Sequence, residues 1–144
     1  MVIAEFSYKI KKLTMKNSLS NEGVIQLDNV MELDVEYEPD GESVVAVLTV
    51  CVEHREHPNQ FFIELELQGI FRLDGINGAA SKKETHIRCY DTLFPFASQI
   101  MTYLATNSGM QGFMLQKMEM EPETVNFGAK PNDKIIEFRD DSNE

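Results

Sequence analysis

The sequence predicts an α+β domain in which a four-stranded antiparallel sheet precedes a helix. Apolar and polar residues alternate with a period of two through most of the first half of the chain, as in strands that bury one face. After residue 80 the apolar residues recur at helical spacing, with Phe96, Ile100 and Leu104 as the clearest series. Short turns separate most of the strand segments, which favours antiparallel pairing.

The four strands differ in how they alternate. The first alternates through residues 4–11, and a polar connection follows over 16–28. The second alternates most clearly, with Glu32, Asp34, Glu36 and Glu38 on one face and Met31, Leu33, Val35 and Tyr37 on the other. Residues 42–53 are apolar on both faces, which predicts a central strand covered on both sides or a strand at a subunit contact. The fourth strand is predicted over 61–73, with a bend near Gly69.

The helix ends at the Asn-Ser-Gly sequence of residues 107–109. Pro95 leaves two alternatives open: it occupies the first turn, or it lies inside a longer helix that begins near Lys82. A methionine-rich, irregular segment covers 110–120, and a short helix or strand is predicted over 133–139. We assign residues 1–139 to a single domain and 140–144 to a disordered acidic tail.

Composition narrows the functional classes. The net charge of -11 disfavours nucleic acid as a partner, because a phosphate backbone would be repelled. No run of apolar residues reaches the length of a membrane span, so no membrane insertion is expected. The first residues lack the pattern of a signal peptide, and Cys51 and Cys89 suit a reducing compartment as free thiols, so we expect a cytoplasmic protein.

The residues that carry metal or nucleophile chemistry do not form a convincing site. Cys51, His54 and His57 fall in one stretch and His86 and Cys89 in another, which is compatible in principle with zinc. On a strand, however, positions 51 and 54 point to opposite faces, so we favour a buried cysteine and solvated turn histidines. Nucleophile-elbow and phosphate-loop motifs are absent from the sequence. We therefore predict no metal, no other cofactor and no enzymatic activity.

Two features indicate binding surfaces instead. If the polar faces of the second and fourth strands coincide, Glu64 and Glu66 join the acidic row in a negative surface suited to a basic partner. The alternative is a solvated sheet face, partly neutralised by Lys9 and Lys11. The second feature is the apolar excess of the 110–120 segment, which suits either a tolerant binding surface or a subunit interface. Its apolar members are Met110, Phe113, Met114, Leu115, Met118 and Met120. An oligomeric acidic adaptor fits these features, whereas a thioesterase-like enzyme does not, because four strands precede the helix.

Three motifs resemble those of the SecB family of protein-export chaperones. The stretch GIFRLDGI at 69–76 resembles the family's G-I-F-x-x-x-G-I, and LFPFA at 93–97 resembles its L-F-P-[YF]-A. The stretch VNF at 125–127 matches the family's V-N-F before its last helix. The order of the motifs is right. The resemblance implies a long helix, a shorter C-terminal helix, and a homotetramer built as a dimer of dimers with helices at the central contact.

The resemblance also implies a function and candidate residues. Family members hold unfolded preproteins in apolar grooves without ATP and deliver them to the translocase ATPase SecA. Matched by position, the client groove draws on Met31, Leu33, Val35, Phe61, Leu65 and Phe127. SecA docking on the acidic sheet face would use Glu64, Phe62 and Glu22. Asn17 stands where the family carries an aspartate, and Gly128 and Pro131 interrupt the expected last helix. A SecB-like chaperone whose client is the antitoxin of a toxin–antitoxin pair is the alternative within the class.

Overall fold

The computed structural model describes residues 2–20, 25–75, 78–117 and 135–139, with only the backbone given for 78–81 and 135–139. Its elements are β1 (Val2–Asn17), β2 (Leu27–Tyr37), β3 (Ser43–His54), β4 (Phe61–Asp74), α1 (Gly78–Thr106) and β5 (Ile135–Arg139). The strands form one sheet in the order β1-β4-β3-β2-β5, and every neighbouring pair is antiparallel. The predicted four-stranded antiparallel sheet and long helix are confirmed.

The C-terminal region corrects the predicted shorter helix. Its described part is extended, and β5 pairs with the first half of β2, with Asp28 opposite Arg139 and Glu32 opposite Ile135. β-Branched isoleucines at 135 and 136 favour an extended backbone, and the edge of β2 offers ladder hydrogen bonds to satisfy it. The strand alternative for 133–139 was therefore the correct one. The predicted acidic tail at 140–144 lies outside the described residues.

β1 is longer than the sequence predicts, at 16 residues. Its register against β4 shifts between Ile3 and Glu5 and again between Ile10 and Lys12. The second shift inserts Lys11 as an extra residue, so the alternation changes phase there. For this reason the alternation in the sequence ends at residue 11, although the strand continues to Asn17.

The core lies between the sheet and α1. We call the side of the sheet that α1 covers the inner face. β3 is central, as predicted, and its inner residues Val44, Ala46, Leu48, Val50 and Val52 are all 0% exposed. From α1 the buried residues are Thr85, His86, Cys89, Tyr90, Leu93, Phe94, Ala97, Met101 and Ala105. Pro95 lies inside this helix, which decides between the two alternatives in favour of the longer one.

Gly69 lets the helix approach β4 closely. A Cβ atom built at this position would lie 2.8 Å from Cε1 of Phe71 and 2.9 Å from Cδ2 of Leu93, closer than carbon atoms normally approach. β4 pairs through this residue with both neighbours, opposite Tyr8 on one side and Ala46 on the other. The glycine that suggested a bend therefore makes room for side chains of the core.

Candidate docking face and client site

The side of the sheet opposite α1, here called the outer face, carries its polar residues in register. One row across the strands runs from Glu32 through Thr49 and Glu66 to Lys12. The next row runs from Val30 through Cys51 and Glu64 to Thr14. The polar faces of β2 and β4 thus coincide, which confirms the condition on which the predicted acidic surface depended.

The outer face divides into columns that follow the strands. β2 and β4 carry most of the acids, β3 is largely apolar, and β1 is basic. The acids are Asp28, Glu32, Asp34 and Glu36 on β2, Glu53 on β3, Glu64, Glu66 and Asp74 on β4, and Glu5 near the start of β1. The apolar column contains Val45, Val47 and Cys51, all of them partly buried. Glu38, also predicted for this row, lies one residue beyond the end of β2.

Several ion pairs join acids of the outer face to bases of the chain, among them one on β2 and one on β4. Nε of Arg55 lies 2.9 Å from Oδ1 of Asp28, in a partly buried setting. Nζ of Lys12 lies 3.4 Å from Oε1 of Glu64, and both side chains are substantially exposed. Exposed pairs of this kind stabilise a fold by about 1 kcal/mol or less, so we read the second pair as an electrostatic feature of the surface rather than a structural one.

An apolar stripe on β1 was only partly predicted. Tyr8, Ile10, Leu13 and Met15 pair with inner-face positions of β4, yet between 37% and 46% of each is exposed. Tyr8 stacks on Phe96 of α1, with ring centroids 4.3 Å apart. Leu13 and Met15 were missed because Lys11 shifts the phase of the alternation. The spacing of three from Ile10 to Leu13 was the available signal.

The cysteines and histidines lie in separate environments, as the strand geometry predicted for positions 51 and 54. Cys51 lies on the outer face, where burial and then the charges of Glu53 and Glu64 raise its pKa to about 11. His54 is buried, which corrects its assignment as a solvated turn residue: its Nδ1 accepts hydrogen bonds from the backbone N–H groups of Glu56 and His57. Within the described ranges, no group of three or more His, Cys, Asp or Glu side chains is placed to hold a metal ion.

Sequence comparison identifies the family. The model of the family described as "Preprotein translocase subunit SecB" matches residues 10–122, which is most of the chain. The chain belongs to the SecB family. This region includes two of the three motifs that carried the resemblance, at 69–76 and 93–97.

Individual relatives agree with this assignment. The chain is 29% identical over 93 residues to the protein-export protein SecB of Halorhodospira halophila, covering 63% of this chain and 54% of that protein. It is 26% identical over 96 residues to the protein-export protein SecB of Hydrogenovibrio crunogenus, covering 62% of this chain and 64% of that protein. The matches thus span less than two thirds of the length of these SecB proteins.

A solved structure shares the fold. The SecB-like chaperone of Mycobacterium tuberculosis, in complex with a peptide from an antitoxin, superposes with a TM-score of 0.64. The match covers 83% of this chain and 91% of that one, at 11% sequence identity. Within the described residues, no helix is both long enough and apolar enough to cross a membrane.

The residues matched to SecA docking lie on the outer face where they can be described. Glu64 and Phe62 occupy successive outer positions of β4, and both are partly exposed. Glu22 lies outside the described residues. Asn17 has a structural role that sequence comparison did not suggest: its Nδ2 donates a hydrogen bond to the carbonyl oxygen of Ser108, at 3.0 Å. An aspartate could not donate this bond, so the departure from the family ties the end of β1 to the turn after α1.

The residues matched to the client groove lie together but are interior. Met31, Leu33, Val35, Phe61 and Leu65 all belong to the inner face, and the most exposed of them is Val35 at 8%. Phe127 lies outside the described residues. In this conformation the five side chains are part of the core that α1 covers, so they do not line an open groove. Their role in binding a client stays a prediction.

The methionine-rich segment is divided between the core and the surface. Met110 and Leu115 are buried, Phe113 packs against the core, and Met114 is 69% exposed. Lys117 closes the described part of the segment with an ion pair to Asp91 on α1, at 2.9 Å. Met118 and Met120 lie outside the described residues. Of the described methionines, only Met114 offers a free apolar surface in this segment.

Proposed function

We propose that this protein is a cytoplasmic, ATP-independent holdase chaperone without enzymatic activity, which binds unfolded preproteins or other non-native chains. Membership of the SecB family across residues 10–122 carries the proposal. Exposed apolar side chains on β1 and an acidic outer face are physical features that support it. Such surfaces suit the reversible capture of apolar segments and the docking of a basic partner.

Suppression of aggregation tests this function directly. A chemically unfolded client is diluted with stoichiometric amounts of the protein in the absence of ATP, and light scattering is followed. We expect scattering to fall as the protein concentration approaches that of the client. Scattering equal to that with a non-chaperone protein of similar size and charge would refute the holdase function.

Client binding at the predicted groove requires the inner face to become accessible, because its five described members are buried. The chain contains no tryptophan, so single reporters can be placed at neighbouring positions of β4. Phe61→Trp reports on the inner face and Phe62→Trp on the outer face. We expect a tryptophan-free client to shift the emission of the first and leave that of the second. Equal shifts, or a shift at the outer position alone, would remove the inner face from the client site.

We further propose that the chain assembles as a homotetramer, a dimer of dimers. β1 is an edge strand of 16 residues whose other side is unpaired among the described residues, and it bears an exposed apolar stripe. Long apolar edges of this kind are typical of strands that pair with another chain. Native mass spectrometry should show a tetramer for the wild type and smaller species for Leu13→Asp. A wild type that is monomeric at micromolar concentration would contradict the proposal.

Delivery of clients to SecA would use the outer face. Glu64 and Phe62 lie there at successive outer positions of β4, opposite Cys51 and Glu53 of β3. We expect Glu64→Lys to weaken SecA binding and leave client binding unchanged, because clients are proposed to bind on the other side of the sheet. Calorimetry is the measurement, and an unchanged SecA affinity would refute the assignment of this residue.

A dedicated antitoxin client is the second candidate, since the structural neighbour from Mycobacterium tuberculosis is a chaperone bound to an antitoxin peptide. An export chaperone should bind many unfolded preproteins with similar affinity. A dedicated chaperone should bind one defined segment much more tightly than a set of unrelated unfolded chains. In a pull-down, binding of native proteins but not of unfolded ones would instead favour an acidic adaptor.

A further inference from the structure

The outer face carries both signs of charge in an ordered arrangement. The acids of β2 and β4 flank the apolar column of β3, and beyond β4 lies β1 with three lysines on the same face. These lysines are Lys9, opposite Gln68, Lys12, opposite Glu66, and Lys16, opposite Phe62. Because adjacent strands are about 5 Å apart, the basic column lies within reach of any partner that covers both β3 and β4.

Lys12 is the member of this column in contact with an acid. It stands opposite Glu66 in the register, while its Nζ lies 3.4 Å from Oε1 of Glu64. The ammonium group therefore contacts Glu64, while the backbone of the same residue lies opposite Glu66. The pair is exposed, 55% for Lys12 and 38% for Glu64, so a partner has access to both groups.

We infer that Lys12 selects the partner of the outer face, favouring a protein surface that carries both signs of charge. This inference rests on the docking role proposed for the face. A uniformly basic partner must compete with Lys12 for Glu64 and also meets the lysines of β1. A partner with an apolar ridge over β3, basic residues over β2 and acidic residues over β1 matches those three columns and leaves the Lys12–Glu64 pair on β4 in place.

Two synthetic helical peptides of equal length test the inference. Both carry the same apolar ridge; one has lysines on both sides of it, and the other has lysines on one side and glutamates on the other. Binding is measured by fluorescence anisotropy in about 0.15 M salt, where charges more than about 8 Å apart are largely screened. The full-length protein is used as wild type, Lys12→Glu and Lys83→Glu.

The result is judged by the ratio of the affinities for the two peptides. Both substitutions change the net charge of the protein equally, so an effect of net charge alone would shift this ratio equally in both variants. Lys83 lies on α1, in the layer on the other side of the sheet. We expect Lys12→Glu to shift the ratio toward the all-lysine peptide by about tenfold, from loss of the competing cation and gain of an acid. Lys83→Glu should leave the ratio unchanged.

Two other results would contradict the inference. Equal shifts for the two variants would mean that net charge alone matters and that Lys12 selects nothing. No binding of either peptide to the wild type would reject the outer face as a docking surface for such partners. The holdase function is judged separately, because aggregation of an unfolded client is suppressed or not whatever these peptides do.

Discussion

The two faces of the sheet are built from the same strands and share no role. On the inner face, alternate residues of β3 from Val44 to Val52 and of β4 from Phe61 to Leu67 are completely buried. One position along, on the outer face, the side chains are charged or partly exposed. The difference shows that strand alternation gives one sheet two distinct surfaces: the inner face is buried and holds the fold together, and the outer face is free to carry charge.

Truncation on the inner face should have the largest effect. Leu65→Ala removes a fully buried side chain and leaves a cavity, so we expect a loss of about 2–5 kcal/mol in the free energy of unfolding. The adjacent Glu66→Ala on the outer face should change it by about 0.5 kcal/mol or less. Urea unfolding at one fixed protein concentration measures both. Similar losses for the two variants would abolish the distinction between the faces.

The two cysteines sharpen the comparison through their thiol pKa values. Burial raises the pKa of Cys89 to about 12, whereas burial and nearby carboxylates raise that of Cys51 from 9.0 to about 11. A raised pKa keeps the thiol protonated at neutral pH, so Cys51 should carry about 100-fold less reactive thiolate than a free thiol. Alkylation followed by mass spectrometry should show its rate rising with pH up to about 11.

Removing the carboxylate of Glu64 separates the effect of nearby charge on the pKa of Cys51 from the effect of burial. Glu64→Gln should speed the alkylation of Cys51 by about two- to threefold and leave Cys89 unchanged, because only Cys51 faces that charge. Cys51→Ser identifies the modified peptide. If both cysteines respond equally to Glu64→Gln, the carboxylate acts through the fold and not through its charge.

A smaller effect is expected where the helix meets β4. Gly69→Ala places a Cβ against the ring of Phe71 and the side chain of Leu93, both almost fully buried and unable to move aside freely. We expect a loss of about 1–3 kcal/mol from overpacking. Gln68→Ala, one residue earlier on the outer face, is the matched control and should be nearly neutral. An equally stable Gly69→Ala would show that the helix can shift without cost.

The smallest effect concerns the junction at the end of β1. Asn17→Asp removes the donor to the carbonyl of Ser108, so we expect a loss of about 0.5–1 kcal/mol in the free energy of unfolding. Lys16→Gln, next to it on the same strand, should be neutral within error. If Asn17→Asp unfolds at the same urea concentration as the wild type, the hydrogen bond contributes nothing measurable.

An element of the fold could be predicted from the sequence when its pattern lay within a few neighbouring residues. The alternation of β2, the apolar run of β3 and the helical spacing of α1 were visible because each signal lies within a few residues. The continuation of β1 past Lys11 was hidden, since one inserted residue reverses which face a position occupies. The pairing of β5 with β2 was hidden as well, because it joins residues about a hundred positions apart.

The candidate site, too, was predictable where its signal was local and not where it depended on contacts between distant residues. The acids of β2 and β4 were recognised, but only the register showed that they share a face. The five described groove residues were named from the family resemblance. The alternation of β2 and β4 already placed them on the apolar face, and the structure shows that this face is fully covered. The contact between Lys12 and Glu64 has no signature in the sequence.

The sequence by itself determined an acidic α+β chain with four antiparallel strands, a long helix and the motifs of the SecB family. These follow from local periodicity and short motifs, which need no knowledge of distant contacts. The tertiary structure decided the order of the strands in the sheet, where β5 pairs, and which lysine stands beside Glu64. Those features depend on register and on packing between layers, and both arise from the free energy of the whole fold rather than from any one segment.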